Sequence, residues 1–506
     1  MGLSDQLART EALTRFDQTL LIEAGAGSGK TAVMAGRVAL MLASGIPANA
    51  IVAITFTEAA ASELLTRIRR YVETLSSNQE IPRELGGALP NGLSPQQRRS
   101  LNEAEKELDE LTCTTIHGFC QRLIRPYPIE TNMDPGASIA DPVGASLLLD
   151  DTIDEWLRDH LDGESEGFVA EFVRHDAKKA VQYVRDLVKT SCDYPGVEAP
   201  VARADETTTA RFIAASHAFA EVLDQGNVTL EEATAAAAAM HRLSSFVKFD
   251  APRDLVALLT LDADDVLSTA GTFKEFRHKG KYEAAAGFHG VSKAVAVEEF
   301  NRVKAFYDTA KESWSAVKDA AASQMLAGLM RETNFAVEHY QQRKKRAALL
   351  DFNDLLQHAR DLLANDPKVC QALGERYKHV LVDEFQDTDP LQAEILWRLC
   401  GIENPEAPSD WTKRIIRPGA LFLVGDPKQA IYRFRGADVT IYTQARESLR
   451  QLDGAAVRSI STNFRSRAGV LEFVNRCFEG PLSSEGQPGF TPLDVGRLEK
   501  QQGPAV

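Results

Sequence analysis

The chain has 506 residues, enough for roughly three or four domains, and its apolar content of 44% and charged content of 25% are ordinary for a globular protein. A net charge of −15 excludes a generally basic nucleic-acid coat, so DNA binding must come from local grooves. The six cysteines form no CxxC pair, the N-terminus has no apolar signal region, and no stretch is apolar enough to span a bilayer, which together predict a cytoplasmic protein.

The most informative stretch is residues 20–31, which read LLIEAGAGSGKT. An apolar run, a small-residue loop, Lys-Thr and an apolar-periodic stretch predict a strand, a phosphate-binding loop and a helix. Glycines let consecutive backbone N–H groups turn toward one anion, and the helix N-terminus adds partial positive charge. Lys30 would reach the β- and γ-phosphates, and the Thr31 hydroxyl would ligate Mg²⁺. The general pattern begins with Gly whereas this loop begins with Ala24, and the alternative is a glycine-rich turn without ligand.

Predicted strands and helices alternate on both sides of a long middle segment. A polar helix is predicted over residues 4–15, a second helix follows the phosphate loop, and residues 76–100 are predicted to form a surface excursion. Further buried strands are predicted from apolar, β-branched runs at 51–54, 380–382, 421–424 and 457–461. This alternation indicates an α/β fold with a parallel sheet, whose ligands bind at the carboxyl ends of the strands. The tail at 480–506 shows no packed element.

The middle segment, from about residue 125 to residue 346, has long alanine-rich amphipathic runs and few strand signals. This pattern predicts an all-helical insertion domain. The segment contains a basic group that is interleaved with Phe276 and Tyr282 and consists of Lys274, Arg277, Lys279 and Lys281. The group is a candidate patch for duplex DNA, and the alternative is a solvated loop with basic residues.

A pair of acids, Asp383 and Glu384, directly follows an apolar strand. One carboxylate there can hold Mg²⁺, which usually keeps several waters and takes one or two carboxylates. The adjacent carboxylate can orient or deprotonate an attacking water. The pair therefore predicts a second element of a nucleotide site, and the alternative is a solvated turn.

The segment GDPKQAIYRFRGAD at residues 425–438 mixes polar, aromatic and basic residues at short spacing. Gln429 can hydrogen-bond a phosphate or the attacking water, and Phe434 offers a flat face on which a nucleobase can stack. Alternatively, Tyr432 and Phe434 are core residues.

A tetrapeptide, Asn463-Phe464-Arg465-Ser466, follows the last predicted strand. Arg465 can reach across a cleft to a γ-phosphate, because a guanidinium group suits phosphate geometry. The alternative is an ordinary surface arginine.

Taken together, these segments resemble the UvrD/Rep-type superfamily I DNA helicases. The likeness is strongest to the AddA/RecB branch, the helicase-nuclease subunits of double-strand-break repair. Seven motifs match in family order: AGAGSGKT (24–31), TFTEAAASEL (55–64), TTIHGFC (114–120), LDFNDLL (350–356), VLVDEFQDTD (380–389), VGDPKQAIYRFRGAD (424–438) and STNFRS (461–466). The helical segment between them matches in position and character.

The resemblance implies a RecA-like P-loop NTPase sheet with a large all-helical insertion. A first RecA-like lobe would comprise residues 1–125 and 346–455, the helical insertion domain residues 126–345, and the start of a second RecA-like lobe residues 456–506. The implied activity is 3′-to-5′ translocation on single-stranded DNA, driven by Mg²⁺-dependent hydrolysis of ATP. Implied partners are single-stranded DNA, duplex junctions and a second helicase-nuclease subunit, with no membrane.

The same resemblance implies roles for individual residues. Gln6 would read the adenine and Phe464 would stack on it. The loop that binds the phosphates would consist of Ala24, Gly25, Ala26, Gly27, Ser28, Gly29, Lys30 and Thr31. The catalytic set would consist of Lys30, Asp383, Glu384, Gln429 and Arg465, with Thr31 and Asp383 holding Mg²⁺. The contacts to single-stranded DNA would come from Thr55, Phe56, His117, Phe119, Tyr432, Phe434 and Arg435. Glu58 and Ala59 replace the common Asn-Lys, which removes one positive charge.

The family pattern also includes the rest of the second lobe, with a further arginine, and in this branch a C-terminal nuclease domain. Neither has a candidate in these 506 residues, so the chain is expected to be an N-terminal portion or a truncated gene product. Two hypotheses stay open. One is an ATP-dependent DNA helicase motor, and the other is a truncated module that binds ATP and DNA without unwinding.

Overall fold

The computed structural model describes residues 3–77, 79–162, 166–194, 197, 206–228, 230–249, 251–264, 266–407, 410–433, 436–484, 487 and 489–496. The chain forms two compact units, which we name the sheet unit (Met1–Ile139 with Leu350–Val506) and the helical unit (Ala140–Leu349). In the part of the chain that is described, no helix is both long enough and apolar enough to cross a membrane.

The sheet unit is built on a central parallel sheet. The described strands, in chain order, are β1 (Thr19–Ala24), β2 (Ile51–Thr55), β3 (Thr112–Thr115), β4 (Ser138–Ile139), β5 (Leu349–Leu350), β6 (His379–Val382), β7 (Gly401–Ile402), β8 (Ile415–Ile416), β9 (Leu421–Gly425), β10 (Ala455–Ile460), β11 (Thr462–Asn463) and β12 (Asp494–Val495). Six of these form the sheet in the order β10-β1-β9-β6-β2-β3, and every neighbouring pair is parallel. The predicted α/β fold with a parallel sheet is confirmed.

Alternation of side chains explains why continuous apolar runs form the central strands. In β1, Leu20 and Ile22 lie in one hydrophobic core and Leu21 lies in a second core on the opposite face. In β9, Phe422 belongs to the first core and Leu423 to the second. Both faces are therefore covered, as is typical of parallel sheets. Full burial of each such side chain contributes about 1.5–3 kcal/mol.

Helices cover both faces of the sheet and also make up the helical unit. The described α-helices, in chain order, are α1 (Gln6–Thr14), α2 (Lys30–Ala43), α3 (Glu58–Ser76), α4 (Pro95–Lys106), α5 (Ile116–Ile124), α6 (Pro142–His160), α7 (Phe168–His175), α8 (Ala177–Asp193), α9 (Glu206–Asp224), α10 (Glu231–Phe246), α11 (Pro252–Leu259), α12 (Lys279–Ala285), α13 (Lys293–Arg346), α14 (Phe352–Asn365), α15 (Pro367–Arg376), α16 (Pro390–Cys400), α17 (Val439–Gln451) and α18 (Ala468–Ser483). Asp389 caps α16 by accepting a hydrogen bond from the Gln392 N–H, and Pro390 takes the first helical position.

The helical unit surrounds α13, whose 54 residues extend about 80 Å at the usual rise per residue. Its core is rich in aromatic residues, and it includes Phe276 and Tyr282, which are 3% and 0% exposed. The aromatic residues interleaved with the basic group are therefore core residues and offer no stacking surface. Lys281 pairs with Glu232, and the Lys274 ammonium donates to a backbone carbonyl. The observations on these residues favour the alternative of a solvated loop with basic residues.

Two features at the end of the sheet unit differ from the sequence prediction. Residues 455–460 form the edge strand beside β1, whereas the sequence assigned the chain from residue 456 onward to a second lobe. The physical reason is that the β10 backbone pairs along the full length of β1. The tail is also packed in part, because β12 pairs with β11, and Leu493 lies against Gly25.

Candidate nucleotide and DNA site

The phosphate loop connects the carboxyl end of β1 to the N-terminus of α2. Gly27 and Gly29 have φ values of 68° and 86°, which side chains with a Cβ rarely adopt. Gly29 is the N-cap of α2 and has no side chain to cap the helix, so no capping side chain blocks the Lys30 and Thr31 N–H groups from an anion. The Ala32 N–H donates to Gly29 O at 3.0 Å. Ser28 Oγ is buried and has no hydrogen-bond partner among the described residues. The loop therefore has the geometry of an anion cradle.

The acidic pair follows β6 and lies beside the phosphate loop. Lys30, the first residue of α2, forms an ion pair with Glu384 through Nζ and Oε2. Glu384 has φ 51° and ψ 43°, a left-handed conformation that costs a non-glycine residue about 1–3 kcal/mol and that occurs preferentially at functional sites. The structure thus brings together Lys30 and Glu384, which are 354 residues apart in the sequence.

Asp383, the first residue of the acidic pair, is half-buried. Burial, and then the neighbouring Glu384 carboxylate, raise the pKa of Asp383 to about 6, and Lys30 opposes this shift. No cluster of three or more His, Cys, Asp or Glu ligands occurs in the described ranges. Asp383 and Thr31 nevertheless offer oxygen ligands, which Mg²⁺ prefers, and this ion takes only one or two carboxylates. A divalent cation bound there would add to the positive charge that Lys30 presents to this half-buried carboxylate.

The loop after β9 is hydrogen-bonded to the acidic pair. Gln429 Nε2 donates to Asp426 Oδ2 at 2.8 Å, and Lys428 forms an ion pair with the same carboxylate at 2.9 Å. The Asp426 N–H donates to Gln386 Oε1 at 2.8 Å, and Gln386 Nε2 donates to Glu384 Oε2 at 2.9 Å. Gln429 therefore lies in the same network as Glu384.

Residues 461–466 contact the phosphate loop through backbone and side-chain hydrogen bonds. The Phe464 N–H donates to Gly27 O at 2.9 Å, and Asn463 Nδ2 donates to Ala26 O. A Cβ built on Gly27 would lie 2.7 Å from the Cβ of Arg465, so only glycine permits this approach. The structure thus places Arg465 directly against the predicted phosphate site. Phe464 keeps 37% of its surface exposed, which leaves a ring face for a base.

A buried ion pair between Asp5 and Arg9 connects the phosphate loop to residues 461–466. Arg9 binds Asp5 through two hydrogen bonds of 2.8 and 2.9 Å, and it also donates to Ser28 O and Thr462 O. Asp5 accepts from the Thr462 N–H, and the Arg9 guanidinium lies 5.1 Å from the centre of the Phe464 ring. Sequence reasoning missed this pair, although two opposite charges four residues apart on a helix are a detectable signal.

Gln6, the predicted adenine reader, is the first residue of α1. Its amide donates a long hydrogen bond of 3.5 Å to Thr10 Oγ1, and a Cβ built on Gly87 would lie 2.0 Å from the Gln6 amide nitrogen. The contacts of Gln6 are therefore with its own helix and with the predicted surface excursion. Arg9 rather than Gln6 is the α1 residue that reaches the Phe464 ring.

Several predicted DNA contacts also lie at the carboxyl edge of the sheet. Phe56, just after β2, is 39% exposed and stacks on Tyr432 with ring centres 4.8 Å apart. His117 lies edge-on to Phe352 at 5.1 Å, and burial lowers the pKa of its imidazole. Thr55 is only 3% exposed, and its hydroxyl donates to Thr57 O at 3.1 Å, so it offers little surface to DNA.

Phe119, a predicted DNA contact, lies in a hydrophobic core in this structure. Phe119 is fully buried on α5 and packs edge-on against Tyr377 with ring centres 5.3 Å apart. The reason is that α5 turns Phe119, together with Leu123, into the second core. Phe434 and Arg435 lie outside the described residues, so their predicted DNA contacts stay predictions.

Comparison with known proteins agrees with the motifs. Curated relatives whose names describe a subunit of an ATP-dependent helicase/nuclease include those of Pediococcus pentosaceus (26% identity, 95% of this chain, 39% of the relative), Listeria monocytogenes (27%, 92% and 38%) and Acetivibrio thermocellus (26%, 96% and 40%). The chain thus spans about two fifths of the length of these relatives. Since the family model described as UvrD/REP helicase N-terminal domain matches residues 6–450, which is most of the chain, the chain belongs to that family.

Proposed function

We propose that the chain is the ATP-binding motor part of a DNA helicase that moves 3′-to-5′ on single-stranded DNA during double-strand-break repair. The observation that supports this best is the convergence of four segments at the carboxyl edge of the sheet. These segments are the phosphate loop, the acidic pair, the loop after β9 and residues 461–466. Hydrogen bonds and an ion pair join them, and Gln386 links the acidic pair to the loop after β9. The relatives named above, with their helicase/nuclease names, support the same proposal.

In this proposal the nucleotide lies across the phosphate loop. The N–H groups of Gly29, Lys30 and Thr31 and the Lys30 ammonium bind its phosphates, whereas the N–H groups of Gly25 and Ser28 donate to backbone carbonyls. Glu384 accepts a proton from the attacking water. Asp383 and Thr31 hold Mg²⁺, which supplies positive charge to the phosphate oxygens when it is bound. Arg465 contacts the γ-phosphate from the side opposite to Lys30.

The base stacks on Phe464, whose ring is held by Arg9. A guanidinium over an aromatic face is attracted by about 0.5–2 kcal/mol, more strongly when it is desolvated, and Arg9 is only 8% exposed. The base would occupy the exposed face of the Phe464 ring. The assignment of Gln6 as the adenine reader is weakened by its contacts with Thr10 and Gly87.

Single-stranded DNA is proposed to bind at the Phe56–Tyr432 pair, in which Phe56 is exposed and Tyr432 is half-buried. His117, Phe434 and Arg435 are proposed as further contacts. Stacking of one base on an aromatic side chain contributes about 1–3 kcal/mol and tolerates any sequence, which suits a translocase. The net charge of −15 requires that phosphate contacts be local, since the chain as a whole repels DNA.

The domain plan is proposed as one RecA-like lobe in the sheet unit, a helical insertion in the helical unit, and the start of a second RecA-like lobe near the end of the chain. A second helicase-nuclease subunit is the proposed protein partner. Both proposals come from the family resemblance and from the names of the relatives.

Displacement of streptavidin from biotinylated oligonucleotides tests the proposed movement. With Mg·ATP, a 3′-to-5′ translocase removes streptavidin from a 5′ biotin and leaves a 3′ biotin occupied. A Lys30→Ala variant is the control without hydrolysis. Displacement from the 3′ end alone would contradict the polarity, and binding of ATP and DNA without displacement would favour a binding module that cannot step.

A further inference from the structure

Gln386 is a buried amide at the centre of the site, and the catalytic scheme above gives it no role. Its side chain follows the acidic pair by two residues and is only 2% exposed. Burying an amide without partners costs free energy, so a buried glutamine at this depth is expected to have specific partners. Each of its polar atoms does have such a partner.

The partners of Gln386 come from two different loops. Its Oε1 accepts from the Asp426 N–H at 2.8 Å, and its Nε2 donates to Glu384 Oε2 at 2.9 Å and to Asp387 Oδ2 at 3.1 Å. A Cβ built on Gly425 would lie 2.8 Å from Gln386 Oε1, so glycine there permits the amide to approach the strand end. One side chain thus connects the proposed catalytic base to the end of β9.

The loop after β9 continues this connection toward the aromatic pair. Asp426 accepts from Gln429 Nε2, and the chain then runs three residues further to Tyr432, which stacks on Phe56. The chain from Glu384 to Tyr432 is therefore continuous and passes through Gln386.

We propose that Gln386 is a positioning residue that couples the nucleotide site to the Phe56–Tyr432 surface. The inference rests on the proposed function, since it assumes that the nucleotide binds at Lys30 and that DNA binds at Phe56 and Tyr432. When Lys30 turns from Glu384 to a phosphate, Glu384 keeps the hydrogen bond from Gln386. Any shift of the Glu384 carboxylate is thereby passed to Asp426 and to the loop that it begins. Such coupling is reciprocal, so DNA and nucleotide must change each other's affinity by the same factor.

The experiment measures that factor in the full 506-residue chain. The probes are a fluorescent oligo(dT) and the Mg²⁺ complex of a non-hydrolysable ATP analogue. The affinity of each probe is determined alone and with the other probe at saturation.

The variants change the partners of the Gln386 amide. Gln386→Glu keeps the shape of the side chain and the acceptor for the Asp426 N–H, but it turns a carboxylate toward Glu384. Gln386→Met removes both interactions without adding charge. Gln392→Glu, on the neighbouring helix α16, is the matched control. Circular dichroism and thermal unfolding confirm that each variant is folded.

We expect a coupling factor of about 5-fold or more in the wild-type chain and in Gln392→Glu, in line with typical allosteric couplings. In Gln386→Glu and Gln386→Met the factor should fall to within about 2-fold of unity, although each probe still binds alone. In steady-state hydrolysis, kcat per folded molecule should fall with little change in KM, as expected when the lost interaction acts after nucleotide binding.

The inference is overturned if a folded Gln386 variant keeps the wild-type coupling factor, or if the wild-type chain binds both probes without mutual effect. A wild-type chain that binds neither probe would instead overturn the proposed function.

Discussion

Replacing Glu384 with glutamine should tighten the binding of Mg·ATP while stopping hydrolysis. Lys30 must leave Glu384 before it can contact a phosphate, so the ion pair competes with the nucleotide. The two side chains are 11% and 35% exposed, and solvent screening at this exposure limits the ion pair to about 1 kcal/mol. Glutamine removes that competition, which corresponds to a gain in affinity of about 5-fold. The amide cannot accept the proton of water, so turnover should be lost.

Isothermal titration of Mg·ATP into Glu384→Gln measures the affinity, and phosphate release measures the turnover. Glu73→Gln, at an exposed position on α3, is the control for the loss of one negative charge. Lys30→Met should weaken binding, because it removes the phosphate ligand itself. Binding that is about 5-fold weaker in Glu384→Gln, or hydrolysis at the wild-type rate, would refute the competition and the role of Glu384 as base.

Four further predictions concern DNA binding, stability and pH. Phe56→Ala should weaken oligo(dT) binding, measured by fluorescence anisotropy, by about 1–3 kcal/mol. Phe119→Ala should lower the free energy of unfolding by about 3–5 kcal/mol. A specific loss of DNA affinity in Phe119→Leu would contradict the core position of Phe119. Arg9→Met leaves the Asp5 carboxylate buried without its cation, so urea unfolding should show a loss of about 3–5 kcal/mol, and an unchanged midpoint would contradict the role of the pair. Burial lowers the pKa of His379, so the fold favours its neutral form. The contribution of His379 to stability should be complete above about pH 6.5 and lost as the pH falls toward the lowered pKa of the folded state. His379→Gln should flatten this part of the plot of urea midpoint against pH.

The strand ends of the site were predictable from the sequence because local signals mark them. Apolar, β-branched runs precede Gly25, Asp383 and Gly425, and the carboxyl ends of parallel strands meet at one edge of a sheet. The sequence therefore predicted that these loops gather there. The ion pair between Lys30 and Glu384 follows from that arrangement.

Contacts between distant segments could not be predicted in the same way. Gln386 meets Asp426 forty residues further along the chain, and Arg9 meets Thr462 across 453 positions. Nothing in a local pattern identifies such partners, because they depend on how strands are ordered in the sheet. Glu58 is a similar case, since its carboxylate accepts from Thr115 Oγ1 at 2.7 Å and links β3 to the start of α3.

The buried position of Phe119 has a signal in the sequence. Along α5, Phe119, Cys120, Leu123 and Ile124 are apolar and buried, a spacing typical of a helix face that packs on a core. The resemblance assigned Phe119 to DNA because of its place in a motif, whereas helical periodicity assigns it to the core. His117, two positions earlier, lies on a different part of the helix surface and is only half-buried.

Steady-state hydrolysis of ATP with and without single-stranded DNA tests the central claim most directly. The claim is that Lys30, the acidic pair and the loop after β9 form one nucleotide site that responds to DNA. The account predicts Mg²⁺-dependent hydrolysis that single-stranded DNA stimulates and that Lys30→Ala lowers by about 10²-fold or more. Hydrolysis that survives Lys30→Ala, or that single-stranded DNA leaves unchanged, would contradict it.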